Sequence, residues 1–289
     1  MNLTPTCVTC IFSQALRVCE TLQVDNQTTK KVLDTVADMI PEWSFNETPP
    51  QVAARVYPKI AEILKTNDIY YDYKREATER AKAFIPFVEE MINKQTDKFY
   101  ASLKVAVAGN VIDLAAMEQF NLEEEVAKVF DSPFKIDDSE ELRKILHNSK
   151  NLLVVGDNAG EHLFDKVMMK CLKDIFPDLH IFYAVRGKPI INDITIEDAL
   201  EAGIDKVAEI IDSGVDTPGL DLKRANDKML SVYEQSDVVL AKGMGNYESF
   251  CNISTQPTFF LLKVKCNVVA ASLGRHVGDI ICYKEVLHD

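Results

Sequence analysis

Two acidic turns in this chain stand where metal chemistry could be done. In the first, the apolar run Leu152–Val155 stops at Gly156, and Asp157 and Asn158 follow at once. In the second, the run Ile181–Val185 leads through Arg186, Gly187 and Lys188 to Asn192 and Asp193. Carboxylate and amide oxygens are hard donors, suited to cations such as Mg²⁺ or Mn²⁺. Two turns that each deliver Asp just before a helix point to one shared cation more strongly than either does alone. Asp and Asn also cap helices, so Asp157, Asn158 and Asp193 keep that plainer reading beside the ligand one.

Other residues could complete such a site. Lys242 is followed by Gly243 and Gly245; glycines allow close backbone approach, and a lysine ammonium suits a phosphoryl oxygen. The loop around Ser213 and Thr217 has the small and hydroxylic residues of a phosphate site, and equally those of an ordinary turn. Gly109 and Asn110 set a polar group in the apolar run that starts at Leu103, with Asp113 close behind. Cys7 and Cys10 form a single Cys-x-x-Cys pair without a second pair to complete a zinc site, so they read as packed thiols or as a redox pair. Tyr70, Tyr71 and Tyr73 beside Lys74 and Arg75 read as a wet helix surface or as a cleft wall. Gly243 and Gly245 do not extend into a dinucleotide fingerprint, there is no P-loop, and no Asp-x-Asp follows a strand.

The elements that must position these residues are legible from apolar periodicity. Short apolar runs at 151–155, 180–185, 209–212, 237–240, 259–262 and near 279–283 read as strands, and the first of them, rich in β-branched residues, as one buried on both faces in a parallel sheet. Between them, 161–175, 195–202 and 266–273 have helical spacing. Leu103–Asp113 fits either a strand or a helix. From Asn26 to Asn93 the pattern stays helical, and all 11 glycines lie at or beyond Gly109. This predicts a helical lobe over 1–100 and an α/β metal- and phosphate-binding domain over 101–289. The fold class expected is α/β, a doubly wound, mostly parallel sheet flanked by helices, whose ligands bind at the carboxyl ends of the strands.

Composition narrows the function. With 32 Lys+Arg against 45 Asp+Glu, the net charge of -13 repels a phosphate backbone, which argues against nucleic acid as a partner. An anionic substrate would need a local field from a metal or a few placed cations. No apolar run is long enough to span a bilayer, and the seven cysteines are an odd number better suited to reduced thiols, so a cytoplasmic protein without a membrane partner is expected.

The motifs Gly156-Asp157-Asn158-Ala159-Gly160-Glu161, Arg186-Gly187-Lys188, Asn192-Asp193-Ile194-Thr195 and Lys242-Gly243-Met244-Gly245-Asn246 together resemble the metal-dependent damage-control phosphatase family. The likeness runs over the whole chain, and Cys7, Cys10, Gly109, Asn110 and Asp113 resemble its stand-alone prokaryotic branch. It implies Asp157, Asn158 and Asp193 as ligands of Mg²⁺, Mn²⁺ or a related ion such as Co²⁺ or Ni²⁺. It also implies Lys242 on the phosphate, and Asn110 and Asp113 lining the cleft. Arg186, Ser213, Gly243, Gly245 and Asn246 join the expected substrate contacts, and Asp113 and Glu161 are candidates to position water. The implied activity is hydrolysis of small phosphorylated metabolites, such as sugar phosphates or phosphopantetheine-like compounds, by metal-activated water. Two alternatives are an S-adenosylmethionine-dependent methyltransferase, whose glycine-rich turn would be Gly156–Gly160, and a non-catalytic phosphometabolite-binding protein.

Overall fold

The computed structural model describes residues 1–109 and 122–285. Local capping accounts for the helices that open the chain. α1 (Pro5–Thr21) begins on a proline, which has no amide hydrogen to leave unpaired at a helix start. Asp25 caps α2 (Asn26–Met39) by accepting from the Gln27 and Thr28 amides. Thr48 and Gln51 cap α3 (Pro49–Leu64) reciprocally. These three helices bury Val18, Val32, Val36, Val52, Val56 and Ile60 against one another.

α4 (Tyr71–Asn93) and α5 (Lys98–Ala108) leave that cluster and pack under the sheet. The stretch that began ambiguously at Leu103 is therefore helical through Ala108. The division between apolar cores falls between α3 and α4, ahead of the boundary expected near Tyr100. Asn110 and Asp113 lie outside the described residues.

The remainder alternates strand and helix. In chain order it comprises α6 (Leu122–Asp131), β1 (Ile136–Asp137), α7 (Ser139–Leu146), β2 (Asn151–Val155) and α8 (Glu161–Ile175). Next come β3 (His180–Val185), α9 (Ile196–Glu201), β4 (Glu209–Asp212), α10 (Asp227–Gln235) and β5 (Val238–Lys242). The chain continues with α11 (Gly243–Phe250), β6 (Thr258–Lys263), α12 (Asn267–Leu273) and β7 (Ile280–Lys284).

The seven strands form one sheet in the order β1-β7-β6-β5-β2-β3-β4. The five contiguous strands β6, β5, β2, β3 and β4 are parallel, and β7 pairs antiparallel with β6, so β7 and β1 run against the rest. This is the α/β sheet expected. Strand alternation sends Leu152, Val154, Val238 and Leu240 into the layer of α4, α5 and α8, and Leu153, Val155, Val239 and Ala241 into the layer of α10, α11 and α12. Among the described residues, no helix is long and apolar enough to cross a membrane.

The order of the strands fixes where a ligand can enter. From β2 the chain builds outward through β3 and β4, then returns to the other side of β2 as β5. The carboxyl ends of β2 and β5 thus flank the switch point, where loops diverge and leave a crevice.

Candidate active site

Asp157 and Asn158 lie in that crevice and do not cap the helix. The N-cap of α8 is Gly160, which has no side chain to offer, so the capping alternative fails for both residues. Likewise Thr195, not Asp193, caps α9, through a reciprocal box with Asp198. Instead the two acidic turns pair with each other. The Ala159 amide donates to the Asn192 carbonyl at 2.8 Å, the Ile194 amide donates to the Asp157 carbonyl at 2.9 Å, and Asn158 stands opposite Asp193.

Asp157, Asn158 and Asp193 line one cavity of about 310 Å³. Its floor also includes Asn192, Pro218, Met244 and Gly245, while Cys7, Cys10, Ile11 and Gln14 of α1 and Pro49, Pro50 and Ala53 of α3 form the wall above. The helical lobe thus contributes directly to the site. Asp157 presses against the start of α11: a Cβ on Gly243 would stand 1.8 Å from Asp157 Oδ2, and Gly243 has φ 75°. Any other residue there would displace the carboxylate.

Burial weighs against charge on both carboxylates of the cavity. Burial raises the Asp157 carboxyl to about 7, with the charge of Asp193 adding to the effect; Lys265, Arg186 and Lys242 pull it down. Burial likewise raises Asp193 to about 6, against the opposing pull of Arg186, whose Nε donates to Asp193 Oδ2 at 2.7 Å. Asn158 Nδ2 donates to Asp157 Oδ2 at 3.2 Å and to Glu161 Oε1 at 3.0 Å, which leaves its amide oxygen as the remaining donor to a ligand. Among the described residues no cluster of three or more His, Cys, Asp or Glu is arranged to hold a metal. The donor set is instead two carboxylates and an amide, all oxygen, and it fits a hard divalent cation that keeps several waters.

Several expected contacts are placed elsewhere. Lys242 does not reach the cavity: fully buried, its Nζ donates to Asp165 Oδ1 at 2.6 Å and to the Ala106 carbonyl at 2.9 Å. Burial alone would lower its pKa, but Asp165 and Glu161 outweigh that, and the ammonium stays charged. Asn246 has all four of its hydrogen-bonding positions engaged within the protein. It donates to the Gly156 and Lys242 carbonyls and accepts from Arg186 Nη2 and the Leu220 amide. It ties the ends of β2 and β5 together. Ser213 is also fully buried, donating to the Val185 carbonyl at 2.5 Å. Arg186 is buried behind Asp193, and its Nη1 has no hydrogen-bond partner among the described residues. Gly243 and Gly245 do sit at the site, as the first turn of a helix rather than as a loop. Tyr70, Tyr71 and Tyr73 line a separate groove of about 590 Å³.

Lys265 was missed. It lies two residues beyond β6, lines the cavity, and is the cation that most strongly lowers Asp157. Its signal was present in the sequence, since a strand end followed by a charged residue and a helix is the same pattern that singled out Asp157 and Asp193. Cys266, the N-cap of α12, joins Cys7 and Cys10 on the cavity wall. Burial pushes the Cys10 and Cys266 thiols up, away from the nucleophilic thiolate form.

The Gly156–Gly160 turn has little room for the nucleoside of a methyl donor. A Cβ on Gly156 would meet the Tyr183 hydroxyl at 2.7 Å.

The fold and site together are those of an α/β protein with a crevice at the switch point of a mostly parallel sheet, lined by two buried carboxylates and an amide. Residues 3–281 match the model of the damage-control phosphatase ARMT1-like domain, and the chain belongs to that family. It is 30% identical over 280 residues to Damage-control phosphatase PH1575 of Pyrococcus horikoshii, with 96% of each chain covered. It is 31% identical to a damage-control phosphatase of Archaeoglobus fulgidus, over 97% of this chain and 98% of that one. The crystal structure of the Pyrococcus horikoshii protein, described as a DUF89 family protein, superposes with a TM-score of 0.90 over 99% of this chain and 100% of that one.

Proposed function

We propose that the protein is a divalent-metal-dependent phosphatase that hydrolyses small phosphorylated metabolites, with Asp157, Asn158 and Asp193 as the protein ligands of the cation. The observation that carries the reading is the pair of buried, mutually repelling carboxylates that share one cavity with an amide oxygen. Positive charge placed between two such groups stabilises both as anions. A bound Mg²⁺, Mn²⁺ or similar ion would supply Lewis acidity, lower the pKa of a water and offset the phosphoryl charge.

The side chains have distinct parts in this reading. Asp157 and Asp193 hold the cation as anions, and Arg186 fixes the rotamer of Asp193 through its Nε. Glu161 accepts from Asn158 Nδ2 and so orients the amide oxygen. Lys265 is the cation assigned to the phosphoryl oxygens, in place of Lys242, whose charge acts on the site from behind through Asp165. The Gly243 and Gly245 amides, at the positive end of α11, favour an anion near Asp157. Asp113 and Asn110 keep their proposed places in the cleft, with Asp113 or Glu161 positioning water. The walls of the cavity, from Ile11, Pro49, Pro50, Ala53 and Val268, are apolar, which suits the organic part of a small ester.

A screen of phosphomonoesters with Mg²⁺, Mn²⁺, Co²⁺ and Ni²⁺ tests the reading. Chelator should abolish phosphate release and added metal should restore it. Undiminished release from metal-free protein would overturn the metal dependence, and no release with any ion and ester while metal still binds would make the site that of a phosphometabolite-binding protein.

A further inference from the structure

Among the described residues, four other than glycine have left-handed backbone: Gln23, Lys65, Ile191 and Asn252. Lys65 is the C-cap of α3, while Gln23 and Asn252 come directly after the C-caps of α1 and α11; helices commonly end with one residue in that conformation. Ile191 has no such excuse. It has φ 46°, is β-branched, and sits in the turn that delivers Asp193. A β-branched residue there is a genuine outlier, and such strain persists only where surrounding structure holds it.

What holds it is visible. The turn is closed by the Asp193 amide donating to the Ile190 carbonyl at 3.0 Å, with Ile191 at its first central position, where glycine is the usual occupant when φ is positive. Ile190 is buried in the core of α1–α3, and Ile191 packs on the same core. Ile191 also lines the active-site cavity beside Asn192 and Asp193. Immediately beyond it, the Asn192 carbonyl and the Ile194 amide make the two bonds that join this turn to the Asp157 turn.

We infer that Ile191 is a positioning residue: the helical lobe grips its side chain, the grip imposes the left-handed turn, and the turn sets Asp193 against Asp157. Glycine would accept the conformation without strain but would give the lobe nothing to hold. The lobe therefore acts on the spacing of the two carboxylates as well as forming a wall. This rests on the reading that Asp157 and Asp193 share a cation.

The test compares Ile191→Ala, Ile191→Gly and Ile191→Val in the full chain. In metal-free protein, exchange of the Ala159 and Ile194 amides should speed up roughly tenfold or more in the Ala and Gly variants, while core amides such as Leu153 stay protected. Ile191→Val, which keeps the β-branched grip, should stay near the parent. Ile191→Gly should be at least as stable as Ile191→Ala, the reverse of the usual order, because only glycine is unstrained at this φ. With metal, the Ala and Gly variants should lose roughly tenfold or more in kcat with KM little changed, and weaken Mn²⁺ binding in calorimetry; Ile191→Val should recover both. Unchanged exchange at Ala159 and Ile194 in the Ala and Gly variants, or an Ala variant more stable than the Gly variant, overturns the inference. If the parent binds no divalent ion and releases no phosphate, the functional reading fails separately, and the exchange and stability results still decide the role of Ile191.

Discussion

Replacing Asp157 with asparagine should make the metal-free protein more stable while disabling its site. In the folded chain the Asp157 carboxyl is raised to about 7, well above the ordinary carboxylate range of about 4, chiefly by burial and then by Asp193. Below the unfolded value both states carry the proton and the group contributes nothing. As pH rises towards 7 the native state holds the proton longer than the unfolded state does, so stability falls with pH over that window; above it the full penalty applies. At about 1.4 kcal/mol per pH unit, ionised Asp157 destabilises the metal-free fold by about 4 kcal/mol at pH 8, an upper value because the buried site can relax. Asp157→Asn keeps the shape, and its amide oxygen can still accept from Asn158, but it carries no charge. Metal-free Asp157→Asn should therefore melt higher than the parent at pH 8, by on the order of 10 °C, and the gap should narrow as pH falls towards 5. Manganese at a hundredfold excess over Kd should then stabilise the parent by about 2.7 kcal/mol, and so raise its melting point far more than that of the variant. Differential scanning calorimetry across pH, with chelator and with Mn²⁺, measures all of this. A variant that melts at or below the parent at pH 8, without metal, would refute the claim that burial and Asp193 make the ionised Asp157 costly in the metal-free fold.

Other expectations separate structure from chemistry. Lys242→Met leaves Asp165 buried without its cation and should destabilise the fold by about 3–5 kcal/mol, read by urea unfolding. Lys265→Met, at a half-buried position on the cavity wall, should fold normally and lower the rate by a factor on the order of 10²; if full activity remains, the phosphoryl cation is elsewhere. Cys7→Ser with Cys10→Ser should keep the rate within several-fold of the parent, since neither thiol has a place in the chemistry, and a loss as large as that from a ligand variant would make the pair catalytic. Asn158→Asp adds an anion beside Asp157 and Glu161, so it should bind Mn²⁺ at least as tightly as the parent and turn over more slowly, by calorimetric titration and steady-state rates.

The fold was legible wherever an element had enough residues to show a period. β2, α8 and β3 run from Asn151 to Val185 as their apolar spacing indicates, and both acidic turns follow from where those strands stop. β1 has two residues, Ile136 and Asp137, too few to show alternation. Strand order was not readable either: β6 and β7 look alike as apolar runs, yet β7 is reversed and carries β1 with it on the sheet edge. Nor did composition reveal that α4 and α5 belong to the sheet. The glycine count changes at Gly109, but apolar burial divides earlier, because a helix packed on a sheet and a helix packed on helices use the same residues.

The two lysines show how far the rule of strand ends can be taken. Lys242 was chosen because it stands between a strand and a glycine-rich segment, but it is the last residue of β5 and still obeys the two-residue alternation. Val238 and Leu240 point into the layer of α4, α5 and α8, so Lys242 points there too, towards Asp165 on α8. Its charge reaches Asp157 only through the protein. Lys265 lies beyond the end of β6, where the alternation no longer binds, and the chain can turn its side chain to the cavity before Cys266 caps α12. The same distinction sorts the acids: Asp157 and Asp193 both lie past their strands, two and eight residues after β2 and β3. A residue still inside a strand is committed to one face of the sheet, and only residues past its end are free to serve the crevice.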